Sequence, residues 1–214
     1  MIRIMSKKFN WFLLMLFAGT AFLSCENQPP PVNDEDVAYF EKVAAYRQEK
    51  DDWFRESGKS PLLSADKAKF EKLPYFPISP AYRYTLPLAH FEQPDTIVML
   101  TSRGLERKSL RYGRFEFEID GTRQVLSVYK FLDLSKKMNS HLFVPFLDQS
   151  AGEQTYGGGR YIDLYENETD IYHLDFNFAY NPNCAYGNKE YSCPLPPSEN
   201  TLSVEILAGE KKWR

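Results

Sequence analysis

Between Glu153 and Asn181 the chain gathers side chains able to bind or polarise a ligand. Gly157, Gly158 and Gly159 follow Tyr156 and lead straight into Arg160. A backbone free to turn tightly therefore lies beside a guanidinium able to grip a carboxylate or phosphate with two donors. A phosphate-binding P-loop would need its glycines ahead of a helix, with a Lys and a Ser or Thr after them. Here Tyr161-Ile162-Asp163-Leu164 alternates as a strand, so neither requirement is met. The triplet reads either as a turn needing positive φ or as a point where backbone approaches a ligand closely. Further on, Asp175 and Asn177 share one face of a strand, and Tyr180 and Asn181 follow. Tyr156, Gly157, Gly158, Gly159, Arg160, Asp175, Asn177, Tyr180 and Asn181 form the candidate ligand-binding set. Glu153, Asp163 and Arg160 are the candidate catalytic groups of a hydrolase: acids for proton transfer, and a cation for developing negative charge.

Other chemistries fit less well. Asp163, Asp175, Asn177 and Asn181 are hard oxygen donors of the kind Ca²⁺ prefers. Their spacing departs from an EF-hand loop, with Ala179 at the fifth position and no glycine after it, so no metal and no cofactor is expected. His90, His141 and His173 lie far apart in sequence, and no Ser–His or Cys–His arrangement is legible. His173 alternates with Tyr172 and Leu174 and reads as an ordinary strand residue. Cys184 and Cys193 bracket eight residues. In an exported chain a disulfide between them is the expectation, with two buried thiols or half a metal site as alternatives.

Export is itself an expectation from the first 25 residues. Arg3, Lys7 and Lys8 precede an apolar run from Trp11 to Leu23. That run is too short to span a bilayer but has the proportions of a signal-peptide core. It closes on Leu23-Ser24-Cys25, which resembles a bacterial lipobox, with Phe22 where Leu, Val or Ile is usual. Cys25 is thus the expected lipidation site, carrying palmitate-like chains that hold the protein to a membrane. The alternative is a plain secretion signal. Residues 26–34, with Pro29, Pro30 and Pro31, read as an extended tether. The expected location is the bacterial cell envelope, at its periplasmic or outer-membrane face. The full chain of 214 residues has a formal charge of −3. Removal of residues 1–25 takes away three cations and no acid and leaves −6, which argues against a nucleic-acid partner.

The elements that must carry these residues are mostly strands. Asn33 or Asp34 can cap a helix that ends near Ser57-Gly58, with Val37, Phe40, Val43, Ala44, Tyr46 and Trp53 at helical spacing. Glu41, Lys42, Arg47, Glu49, Lys50 and Asp52 are assigned to its outer face. A short helical turn follows near Ser64, and Pro74, Pro77 and Pro80 then forbid helix. From Ala81 the period changes to two. Strands are expected at 82–88, 96–101, 114–120, 125–131, 142–147, 160–165, 171–177 and 201–207. Asp120-Gly121 marks a hairpin, and a second is expected across 166–170. The fold class is therefore mainly β (α+β by count): an antiparallel barrel or sandwich of about eight strands, with an amino-terminal amphipathic helix. Residues 35–210 form its single domain.

Several of these segments together carry a resemblance. Tyr75-Phe76-Pro77 and Ala81-Tyr82-Arg83 come first. Thr155 to Tyr161, Leu174 to Asn177, Ala179 to Pro182, Cys184-Ala185-Tyr186, Cys193 to Pro197, Asn200 and Ala208-Gly209-Glu210 follow. Over roughly residues 40–210 the chain resembles the domain-of-unknown-function 1684 (DUF1684) family of bacterial proteins, in a compact form without the extra β-rich segment of some relatives. The resemblance implies domain limits and no activity. Three functions remain open: a lipid-anchored domain binding a small molecule or another envelope component, an envelope hydrolase, and a structural domain without ligand.

Overall fold

A computed structural model describes residues 34–132 and 140–214. The signal segment, Cys25 and tether residues 26–33 lie outside the described residues. Asn33–Arg214 forms one compact unit. No helix among the described residues is long and apolar enough to cross a membrane.

The chain begins with α1 (Asp34–Glu56), whose first turn carries Asp34, Glu35 and Asp36 against the helix's positive end. A single turn, α2 (Ser64–Lys67), follows. Eight strands come next: β1 (Arg83–Pro87), β2 (Ala89–His90), β3 (Thr96–Leu100), β4 (Glu106–Ile119), β5 (Thr122–Phe131), β6 (His141–Phe146), β7 (Arg160–Tyr165) and β8 (Ile171–Asp175). β4 and β5 meet at Asp120-Gly121, with φ of 49° and 73°. Two positive φ values are what a two-residue hairpin needs to match strand twist. Along β4, Phe115, Phe117 and Ile119 turn inward while Arg114, Glu116 and Glu118 face water.

A bulge at Arg111/Gly113 divides β4, so that β3 pairs with its first half and β2 with its second. Glycine is required at the bulge: a Cβ on Gly113 would lie 2.9 Å from the Ala89 carbonyl oxygen. The main sheet runs β2-β4-β5-β6-β7, with β3 also on β4. It stays open, so the barrel is excluded and the sandwich-like layout holds. A separate two-stranded sheet, β1-β8, lies against it, joined by Tyr84–Phe117 and Phe115–Tyr172 ring contacts at 5.1 and 5.7 Å.

Two further expectations are corrected. β7 and β8 do not form a hairpin, because β7 pairs with β6 and β8 with β1. Asp170, at φ 52°, helps turn the chain out of the first sheet, and Leu88 N–H bonds Asp170 O. Residues 201–207 are not a strand. They bury Leu202 and Ile206 as a strand would, but their pairing stops at an isolated bridge between Thr201 and Leu147 and one bond from the Gln149 amide to Val204 O, and two other carbonyls are taken by side chains. Arg160 donates to Ile206 O, and Gln149 Nε2 to Leu202 O.

α1 buries Tyr39, Val43, Asp51 and Phe54, while Val37 and Trp53 are over 40 % exposed. Arg47 and Lys50, assigned to the outer face by pattern, point inward instead. Arg47 donates to Phe76 O at 2.9 Å, and Lys50 pairs with the buried Glu210.

Candidate functional site

The glycine turn and its arginine form a structural clamp. Gly159 has φ +85°, and a Cβ there would meet Pro196 at 2.5 Å and Phe146 O at 2.7 Å. The turn brings Arg160 into the core, where it is 1 % exposed. One guanidinium nitrogen donates to Ala208 O and Glu210 O, the other to Asp148 Oδ2 and Ile206 O at 2.8 Å each. Burial pulls the pKa of this guanidinium down against the opposing pull of Asp148. Asp148 in turn accepts from the Ser150 amide and hydroxyl. Arg160 is therefore closed to a ligand.

Asn177 and Asn181 are closed in the same way. Asn177 bonds both polar backbone atoms of Ser79, through Oδ1 at 2.9 Å and Nδ2 at 2.8 Å. Asn181 donates from its amide to Glu210 and from its side chain to Lys211 O. Asn177 makes the bonds that a strand neighbour would make and ties the segment ahead of β1 to the end of β8, and Asn181 ties the carboxyl-terminal coil to the segment after β8. Gly158 packs under the Tyr156 ring, where a Cβ would come within 2.5 Å, and Gly157 lies against Gly152. Glu153 is exposed in the turn that follows Ser150. The expected ligand-binding and catalytic residues thus separate: most of them hold the fold together, and of the two sets only Asp175 and Asp163 open onto a cavity.

That cavity is a cleft of about 680 Å³ between the first turns of α1, the outer face of the β1-β8 sheet and β7. Its walls include Tyr39, Lys42, Arg83, Asp163, Asp175 and Phe178. Strand alternation explains the sheet face. Tyr84, Leu86, Tyr172 and Leu174 turn to the core, which leaves Arg83, Thr85, His173 and Asp175 on the other side. A third carboxylate, Glu35 on the first turn of α1, also lines the cleft and is exposed, whereas the two on the strands are already engaged. Asp175 accepts the Tyr39 hydroxyl on both oxygens, at 2.9 and 3.1 Å, and takes the Asn177 amide at 2.9 Å. Burial pushes the Tyr39 hydroxyl up, and the Asp175 charge adds to the effect. Asp163 accepts from His141 Nε2 at 2.8 Å and from Tyr180 at 2.6 Å. His173 Nδ1 meets Thr85 Oγ1 at 2.9 Å.

The cations of the cleft differ. Arg83 lies 4.7 Å over the Tyr39 ring and Lys42 lies 5.9 Å from the Phe178 ring. Neither has an ion-pair partner among the described residues. Both are exposed and set against aromatic walls, so two cations and one acid, Glu35, are left facing the cleft. Sequence reading missed Tyr39, Lys42, Arg83 and Phe178. The Ala81-Tyr82-Arg83 motif held the one available signal, and nothing in the helical pattern marked Tyr39 or Lys42 as facing a sheet.

Glu153, Asp163 and Arg160 do not assemble into a catalytic group, since Asp163 alone lines the cleft. No cluster of three or more His, Cys, Asp or Glu able to hold a metal is found among the described residues. Cys184 and Cys193, expected as a disulfide, are free thiols in this structure. They are nonetheless neighbours, and the Cys184 amide donates to Cys193 Sγ at 3.1 Å.

The model of a family described as "protein of unknown function (DUF1684)" matches residues 68–211. No curated protein matches. Among solved structures, the chain is similar to an uncharacterized protein of Haloarcula marismortui determined by solution NMR. The identity is 35 % and the TM-score 0.63, over 84 % of this chain and 97 % of that one.

Proposed function

The chain belongs to the DUF1684 family of proteins of unknown function, and we propose that it is an envelope lipoprotein whose domain binds a small amphipathic anion in the α1 cleft. One observation carries this reading: the cleft's two strand carboxylates are engaged internally, while Arg83 and Lys42 stand without acid partners beside the Tyr39 and Phe178 rings and outnumber the remaining acid, Glu35. A cavity of about 680 Å³ falls within the range of about 300–1,000 Å³ usual for small-ligand sites. Aromatic walls favour an apolar body, and the two cations favour a carboxylate or phosphate head. The hydrolase reading loses support because its cation, Arg160, is sealed in the core.

The anchor fits this location. α1 starts nine residues after Cys25, a reach of at most roughly 30 Å for extended chain. A lipidated Cys25 would hold the head of α1, and the cleft beside it, close to the membrane surface.

Calorimetric titration with octanoate and with octanol tests the reading. Octanoate binds, octanol binds about tenfold or more weakly, and Arg83→Ala removes that difference, as expected for the loss of a charge-assisted bond. Equal affinity for acid and alcohol, or an unaffected Arg83→Ala variant, contradicts it.

A further inference from the structure

The two cysteines lie apart from the cleft, and their surroundings are asymmetric. Cys193 is buried, 8 % exposed, and its backbone is pinned to the turn after β3. Ser102 N–H donates to Cys193 O at 2.8 Å, and Cys193 N–H donates to Ser102 Oγ at 3.1 Å. Next to it, Pro194 bridges Thr101, and its carbonyl takes the Tyr161 hydroxyl. Cys184 is only half-buried. It sits on a single 3-10 turn, Asn183–Tyr186, which ends at Gly187 with φ 86°. The Tyr156 hydroxyl lies 3.8 Å from its sulfur. The hydrogen bond with Cys193 draws the Cys184 thiol down, Ser102 and Tyr156 adding to it, while the same bond and burial push Cys193 up. One sulfur is accessible and inclined to the thiolate; the other is fixed, protonated and within hydrogen-bonding reach.

We propose that Cys184 and Cys193 are a reversible dithiol–disulfide pair in which Cys184 is the sulfur that exchanges with external disulfides. The Cys184 proton passes to solvent, and the thiolate attacks one sulfur of a low-molecular-weight disulfide. That bond breaks, and one thiolate leaves and takes up a proton. Cys193 then gives up its proton as its sulfur attacks Cys184 Sγ. The mixed disulfide breaks, and the second external thiol departs with a proton. The two protein sulfurs lose two electrons, which the external disulfide gains. The order follows from access, because a reagent reaches Cys184 and not Cys193. The bridge closes a loop of eight intervening residues and staples the 3-10 turn to the segment lying on β3.

The test treats the reduced, folded protein with glutathione disulfide and follows its mass, with Cys25→Ser as the background of every form so that Cys184 and Cys193 are the full set of thiols. The wild type loses two hydrogens without retaining an adduct, and dithiothreitol restores the thiols without denaturant. Cys193→Ser retains one glutathione on Cys184. Cys184→Ser takes up none while folded and labels at Cys193 only in denaturant, a control that shows the thiol is present. Iodoacetamide modifies Cys184 in Cys193→Ser at least about tenfold faster than Cys193 in Cys184→Ser, as expected from thiolate content and exposure. A stable adduct on the wild type, comparable native labelling of Cys193, or a bridge that opens only on unfolding overturns the proposal.

Discussion

Arg160 shows how far one residue's chemistry depends on its surroundings. A guanidinium after three glycines has the features of an anion site, yet here it collects three carbonyls and one carboxylate from the chain itself. With Asp148 it forms an ion pair in which both side chains are 1 % exposed. Removing one partner of such a pair strands the other, at a cost of about 3–5 kcal/mol. Arg160→Met is therefore expected to lose about that much in urea unfolding. Arg160→Lys, which keeps the charge but loses the fork, should lose less. Where folded, both variants should bind octanoate as the wild type does; weakened binding at full folding would return Arg160 to the ligand site.

At the scale of elements, the attachment of α1 decides whether a cleft exists. The helix meets the rest of the domain with tyrosines and charged groups more than with aliphatic side chains. Tyr39 reaches Asp175, Lys50 reaches Glu210, and Asp51 accepts the Leu73 amide at 2.9 Å. Asp51 has a consequence for pH. Burial raises its pKa above the usual carboxylate value of 3.8, against the opposing pull of the Leu73 amide. A carboxyl raised in the folded state binds its proton more tightly there than in the unfolded chain. Its contribution is then fully present below the unfolded pKa and lost as pH rises through the folded one. Stability should fall over that interval above about pH 4, and Asp51→Asn should flatten this part of the profile in thermal unfolding from pH 3 to 7. A profile identical to the wild type would show that the helix does not hold this charge out of water.

For the whole molecule, the proposal joins a domain to a membrane through a short tether. Growth with labelled palmitate should mark the wild-type protein, and Cys25→Ser should abolish the label. An unlabelled wild type, or a labelled variant, would remove the lipid anchor. The cleft and the thiol pair would be unaffected, since both lie within Asn33–Arg214.

Local signals were legible wherever a residue's role depends on its near neighbours. Alternation in Phe115, Phe117 and Ile119 places one face of β4 inside. Asp120-Gly121 sets its turn, and the prolines from 74 to 80 forbid helix; each follows from backbone geometry over a few residues. The motifs from Thr155 to Glu210 likewise marked the family. Partners distant in sequence were decided by the tertiary structure alone. β8 chose β1 over adjacent β7, and 201–207 gave its carbonyls to Arg160 and Gln149. Lys50 turned inward to Glu210, and Arg83 and Lys42 came to share a wall. Such pairings depend on which buried polar group has a bond still to make, and that is settled only when sheets and helix are packed together.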